Sequence, residues 1–152
     1  MMAGKITGLC LCASPEAVEG IPVFRQRRGG AMGSEEQEQI ALFEWASMLE
    51  GRYPALSNAY HIPNGGKRGK VEAARLKAAG VRAGVPDIHL PHAAGGFIGL
   101  YIELKVTGNR AEDAQKKWLK RLCAEGHFTC ICYGWIAAAE IIELYLQGKI
   151  TR

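Results

Sequence analysis

Apolar positions along the chain follow two different spacings, and the change from one to the other marks out the elements. From Ser34 the spacing is helical. Leu42, Ala46 and Leu49 form one stripe, Ser34 stands as N-cap, and Glu35, Glu36 and Glu38 crowd the first turn, where the helix dipole favours carboxylates. Gly51 ends this helix. A turn at Pro54 leads to a short strand over 60–62, and Pro63-Asn64-Gly65-Gly66 reads as a second turn. Residues 70–79 then predict a short basic helix stopped at Gly80. Alternation takes over in Gly84-Val85-Pro86-Asp87-Ile88-His89-Leu90, a short strand entered through a proline, and again over 100–106 after the Gly95-Gly96 turn. These two strands are expected to pair as a hairpin. Asn109 is expected to cap a helix with the stripe Ala111, Trp118 and Leu122, closed at Gly126, and a strand over 128–133 and a helix over 136–146 finish the chain. Residues 1–33 show no sustained spacing and end in Arg25-Gln26-Arg27-Arg28-Gly29-Gly30, which reads as a flexible arm before a folded domain over 34–152. The order α-β-(α)-β-β-α-β-α predicts an α/β or α+β architecture, a mixed β-sheet flanked by helices.

Composition narrows the class. The chain has 152 residues, 48% of them hydrophobic and 22% charged, which suits one globular domain and excludes disorder over the whole length. No apolar run reaches the ~20 residues of a bilayer span, so a soluble, cytoplasmic protein is expected, in the host cell if it is viral. The five cysteines, Cys10, Cys12, Cys123, Cys130 and Cys132, lack CxxC spacing; core packing in a reducing compartment is the expectation for the buried ones. The four histidines show no zinc-ligand spacing, and His61 and His89 are expected to edge a cleft. Neither GxGxxG at a strand–helix turn nor a P-loop occurs.

The net charge of +4 is mild, but its distribution is not. Lys67, Arg68, Lys70, Arg75, Lys77 and Arg82 face one acid, Glu72, and a second group follows at Lys116, Lys117, Lys120 and Arg121. Two such patches are suited to phosphate contact.

The strand over 100–106 carries the chemistry. A spacing of two puts Leu100, Ile102, Leu104 and Val106 on the buried face and Glu103 with Lys105 on the other. A lone ExK is in most proteins an ordinary ion pair; here the paired strand brings Asp87 alongside, so two carboxylates and an amine converge. Mg²⁺ takes hard oxygen ligands and keeps several waters, so two carboxylates plus a backbone carbonyl suffice, with substrate phosphate completing the shell. Lys105 would orient or help deprotonate an acidified water and neutralise charge developing on the phosphate. Two polar residues extend apolar stripes toward the same place: Glu35, with Gln39, on the first helix, and Gln115 on the later one, an inward amide that needs a partner.

Taken together, Pro86-Asp87 followed by Glu103-Leu104-Lys105 resembles the PD-(D/E)xK nuclease signature. Glu35…Gln39, His61-Ile62-Pro63-Asn64-Gly65-Gly66-Lys67-Arg68, Gly84-Val85-Pro86-Asp87, the segment 99–105 and Gln115…Trp118…Leu122…Gly126 resemble the VRR-NUC (virus-type replication-repair nuclease) family over about 34–147. The resemblance implies a restriction-endonuclease-like fold and a Mg²⁺- or Mn²⁺-dependent endonuclease acting on branched or four-way junction DNA, of phage type and homodimeric. By position it implies Asp87 and Glu103 as metal ligands with the Leu104 carbonyl, Lys105 as catalytic lysine, Glu35 as helix-one acid and Gln115 as downstream amide. Asn64, Lys67, Arg68, Lys70, Arg75, Arg82 and Lys116 are the residues expected to meet DNA. Two other readings compete: a non-catalytic module that binds structured DNA, and a phosphohydrolase of small nucleotides. Acids facing a phosphate channel repel the backbone unless a cation intervenes, which disfavours the first.

Overall fold

The computed structural model describes residues 16–26, 33–64 and 69–152. A six-stranded mixed sheet runs in the order β1-β2-β6-β5-β4-β3, built from β1 (Glu16–Val18), β2 (Ile21–Arg25), β3 (Tyr60–His61), β4 (Ile88–Leu90), β5 (Leu100–Lys105) and β6 (Phe128–Tyr133). Strands β2, β6 and β5 are mutually parallel; the remaining pairs are antiparallel, including the expected β4–β5 hairpin. Helices α1 (Glu35–Leu49), α2 (Lys70–Ala78), α3 (Asp113–Ala124) and α4 (Trp135–Leu146), with a short 3-10 helix over Pro54–Asn58, complete the chain. The α+β, mixed-sheet architecture read from the sequence is the one observed.

Helices α1 and α4 cover one sheet face, burying Leu42, Ala46, Ala138 and Ile142 against Leu100, Ile102, Leu104, Cys130 and Cys132. The two thiols lie 3.8 Å apart as core residues, and burial raises the Cys132 thiol. Helix α3 covers the other face, with Leu119 on Ile21, Val23, Ile131 and Tyr133. A sheet covered on both sides has no solvated strand face at its centre, so Glu103 and Lys105 are buried rather than merely turned away from the core. Among the described residues no helix is long and apolar enough to cross a membrane.

Four local expectations change. Residues 16–25, placed in the flexible arm, form β1 and β2, and β2 pairs in parallel with β6. Ile21 and Val23 alternate too briefly to stand out alone, and Phe24, buried on the opposite face, hides the alternation further. The α3 N-cap is Glu112 rather than Asn109, and Leu119, not Trp118, is the buried residue of that helix. The Trp118 indole instead donates to the Ala83 carbonyl at 2.9 Å. On α1 the buried stripe runs Glu38, Leu42, Ala46, while Gln39 lines an outer groove with Ile40 and Phe43. Glu38 is buried because its Oε2 accepts the Trp135 N–H at 2.8 Å, satisfying a free donor at the start of α4.

Candidate active site

The site forms where the β4–β5 pairing stops. The ladder ends at Ile88↔Ile102, so the next stretch of β5 has no β4 strand beside it. Asp87, just before β4, fills the gap: its Oδ2 accepts the Leu104 N–H at 2.9 Å. The Asp87 backbone is itself held, since its carbonyl accepts the Ile62 N–H at 2.8 Å and lies 2.9 Å from His61 Nδ1. In an extended strand the carbonyl of a residue points to the same edge as its N–H, so the Leu104 carbonyl also faces Asp87.

Glu103, fully buried, gathers the remaining partners. Its Oε1 lies 3.0 Å from Lys105 Nζ and accepts from the Gln115 side-chain amide, and its carboxyl abuts that of Asp87. Burial first, and then the Asp87 charge, push the Glu103 carboxyl up to about 8, although Lys105 pulls the other way. Burial also raises Asp87, against the Leu104 N–H and Lys105. Lys105 would be lowered by burial, but Glu103, Glu35 and Asp87 together hold it above its ordinary value. It therefore stays an ammonium. The Glu103 Oε2 is buried and has no hydrogen-bond partner among the described residues.

Gln115 is divided between two tasks. Its Oε1 accepts the Glu112 N–H at 2.7 Å, closing the N-terminal turn of α3, and its amide nitrogen turns to Glu103. Gly84, at φ +82°, lets the loop before Asp87 lie on the first turn of that helix; a Cβ there would come 2.8 Å from the Ala114 backbone. Glu35 sits at the mouth, with Oε1 3.4 Å from Lys105 Nζ and 2.9 Å from Asn109 Nδ2. These residues border an open cleft of about 510 Å³ with Gly108, Arg110 and Glu112. Asn109 and Arg110 were missed by the sequence reading, because a residue taken for a helix cap is not sought in a site.

The expected nucleic-acid contacts divide. Lys70, Arg75 and Arg82 are exposed on or just after α2, a helix with no buried residue. Lys67 and Arg68 lie outside the described residues. Asn64 is partly buried and donates to the Val85 carbonyl at 2.7 Å, so it tethers the loop before the site. Lys116 is not the open cation expected: its Nζ pairs with Asp113 at 2.8 Å and with Glu19 at 3.1 Å, and Glu19 also takes Lys120 at 2.7 Å. His89 leaves the cleft for a ring cluster with Tyr60, Tyr101 and His127.

The mixed sheet brings an aspartate, a glutamate and a lysine together at the broken end of a hairpin, the arrangement that the PD-(D/E)xK resemblance implied. A family model described as the VRR-NUC domain matches residues 33–135, and the chain belongs to that family. A solved structure described as a VRR_NUC domain protein is similar, with 30% identity and a TM-score of 0.65 over 78% of this chain and 91% of that one. No curated protein matches the chain.

Proposed function

We propose that the protein is a Mg²⁺- or Mn²⁺-dependent endonuclease that hydrolyses DNA phosphodiester bonds, with branched DNA as its substrate. The observation that carries this reading is the pair of abutting carboxyls, Asp87 and Glu103, with Lys105 Nζ 3.0 Å from the second. A half-buried acid against a buried one repels it when both are ionised, and Glu103 Oε2 has no donor among the described residues. A divalent cation answers both needs. Asp87, Glu103 and the Leu104 carbonyl are the oxygens available to it, and water and phosphate would fill the remaining positions. When bound, the cation polarises the phosphodiester as a Lewis acid.

The chain's own groups do the rest. Asp87 and Glu103 hold their oxygens from two neighbouring strands. Gln115 fixes the Glu103 rotamer through its amide. Lys105, held charged, is suited to offset negative charge that grows on the phosphate, and a base role is the weaker of its two expected ones. Glu35 draws Lys105 and Asn109 toward the cleft mouth. The exposed cations of α2 supply a surface for the flanking backbone.

The test is cleavage of four-way, flap and linear duplex DNA with Mg²⁺, Mn²⁺ or chelator. Metal-dependent cutting by the wild-type chain, lost in D87A, is expected, with the four-way or flap substrate preferred. Binding without turnover in every divalent metal would favour the non-catalytic module instead.

A further inference from the structure

The connection from β5 to α3 runs past the site and turns at once. The Val106 carbonyl accepts the Asn109 N–H at 3.1 Å, and Gly108, third residue of that β-turn, takes φ +93°. The turn is then tied down. Asn109 donates its side-chain amide to Glu35 Oε1 at 2.9 Å, and its carbonyl accepts the Tyr133 hydroxyl at 2.9 Å. Two residues on, Ala111 packs against the cluster of Leu119, Ile131 and Tyr133. Arg110 stands between these two anchors, exposed, on the border of the cleft that Glu35 and Lys105 also line.

The charge of Arg110 is not taken up within the fold. Among the described residues it has no ion pair, hydrogen-bonded side chain or ring contact. The neighbouring cations differ: Lys105 is shared by Glu103 at 3.0 Å and Glu35 at 3.4 Å, and Lys116 by Asp113 and Glu19. Two carboxylates, Glu35 and Glu112, border the cleft with Arg110. An arginine placed to neutralise either of them would lie within ion-pair distance of it, and Arg110 does not. A DNA strand entering this space meets those acids, and a cation held by Asp87 and Glu103 offsets only the inner pair. A guanidinium on an anchored stretch of backbone, with its donors free, matches the fork geometry with which arginine holds a phosphate.

Resting on the nuclease reading above, we infer that Arg110 is a substrate-binding residue whose guanidinium grips a phosphate flanking the bond being cut, with the turn over 106–109 setting its place. The contact is to backbone, so it is independent of sequence.

The experiment measures binding of a labelled four-way junction across a salt series, using the full chain with D87N in the background to slow cutting, alone and combined with R110Q or R110K. R110Q is expected to weaken binding about tenfold, the scale of one charge-assisted hydrogen bond, and to make the slope of log Kd against log salt shallower by about 1. R110K, which keeps the charge and loses the fork, should restore the slope and only part of the affinity. In the cutting-competent chain R110Q should raise KM and leave kcat unchanged, as loss of uniform binding does. An unchanged slope in R110Q, or a fall in kcat at constant KM, overturns the inference, while cutting by the wild type leaves the nuclease reading standing. A wild-type chain that neither binds nor cuts overturns both.

Discussion

Asp87 accepts the backbone N–H of Leu104, the residue that separates Glu103 from Lys105, at 2.9 Å. This bond stands in for the strand pairing that β4 no longer provides, and it sets the aspartate against the glutamate on the next strand. The acidic pair is thus a consequence of how the hairpin ends, and its consequences can be measured.

The D87N variant keeps a side-chain acceptor for Leu104 but removes one of the two opposed charges. It should fold with stability equal to or above that of the wild type, by denaturant titration, while cleavage falls by ~10²–10³-fold or more. D87A, which strands a half-buried N–H, should lose about 1–3 kcal/mol as well, partly offset by relief of Glu103. A D87N that cuts at the wild-type rate would remove Asp87 from the site.

Stability of the metal-free protein should depend on pH through Glu103. Its folded carboxyl is raised from 4.5 to about 8, so between those values the native state keeps a proton that the unfolded chain has lost. The unfolded state binds fewer protons, and the stability contributed by this group falls as pH rises from 4.5 to about 8, then levels. Asp87, also raised, adds in the same direction. Unfolding free energies from pH 5 to 9 should show this decline in the wild type and a flatter profile in E103Q. Added Mn²⁺ should raise Tm more at pH 8 than at pH 6, because it competes with the proton for the same oxygens.

Q115A removes the acceptor for the Glu112 N–H and the amide on Glu103 in one change. A cost of about 1–2 kcal/mol is expected from the helix end alone. Cleavage should fall about tenfold, the lower end of what loss of a ligand-orienting partner does, at metal concentrations that saturate the wild type. Equal cleavage by Q115A and wild type would reduce the amide to a helix cap.

E38A separates structure from chemistry on α1. It leaves the Trp135 N–H without its partner and should destabilise the protein by about 1–2 kcal/mol in thermal or denaturant melts. Cleavage below the melting range should be unchanged, whereas E35Q, at the cleft mouth beside Lys105 and Asn109, should change cleavage with little loss of stability.

Much of the site could be read from the chain because its members lie on short-range patterns. Glu103 and Lys105 are two apart on a strand, Asp87 follows the proline that opens the neighbouring strand, and Gln115 stands three residues from the cap of a helix. What escaped is what depends on distant partners. Glu38 reads as one of three first-turn acids favoured by the helix dipole, and nothing local shows that the start of α4 needs its oxygen. Lys116 looked like an open cation until the β1–β2 turn delivered Glu19 from 97 residues away. Asn109 looked like a helix cap because its sequence surroundings permit one.

Local spacing and side-chain chemistry alone determined the α+β class, the order of elements from α1 onward, the β4–β5 hairpin and the Asp-Glu-Lys set, since periodicity, turn residues and capping act over a few neighbours. Only the tertiary structure decided that β2 joins the sheet beside β6, that both faces of β5 are covered, and that the carboxyls of Asp87 and Glu103 touch. Strand pairing and burial join residues far apart along the chain. The raised carboxyl of Glu103 comes into existence only when those joins are made.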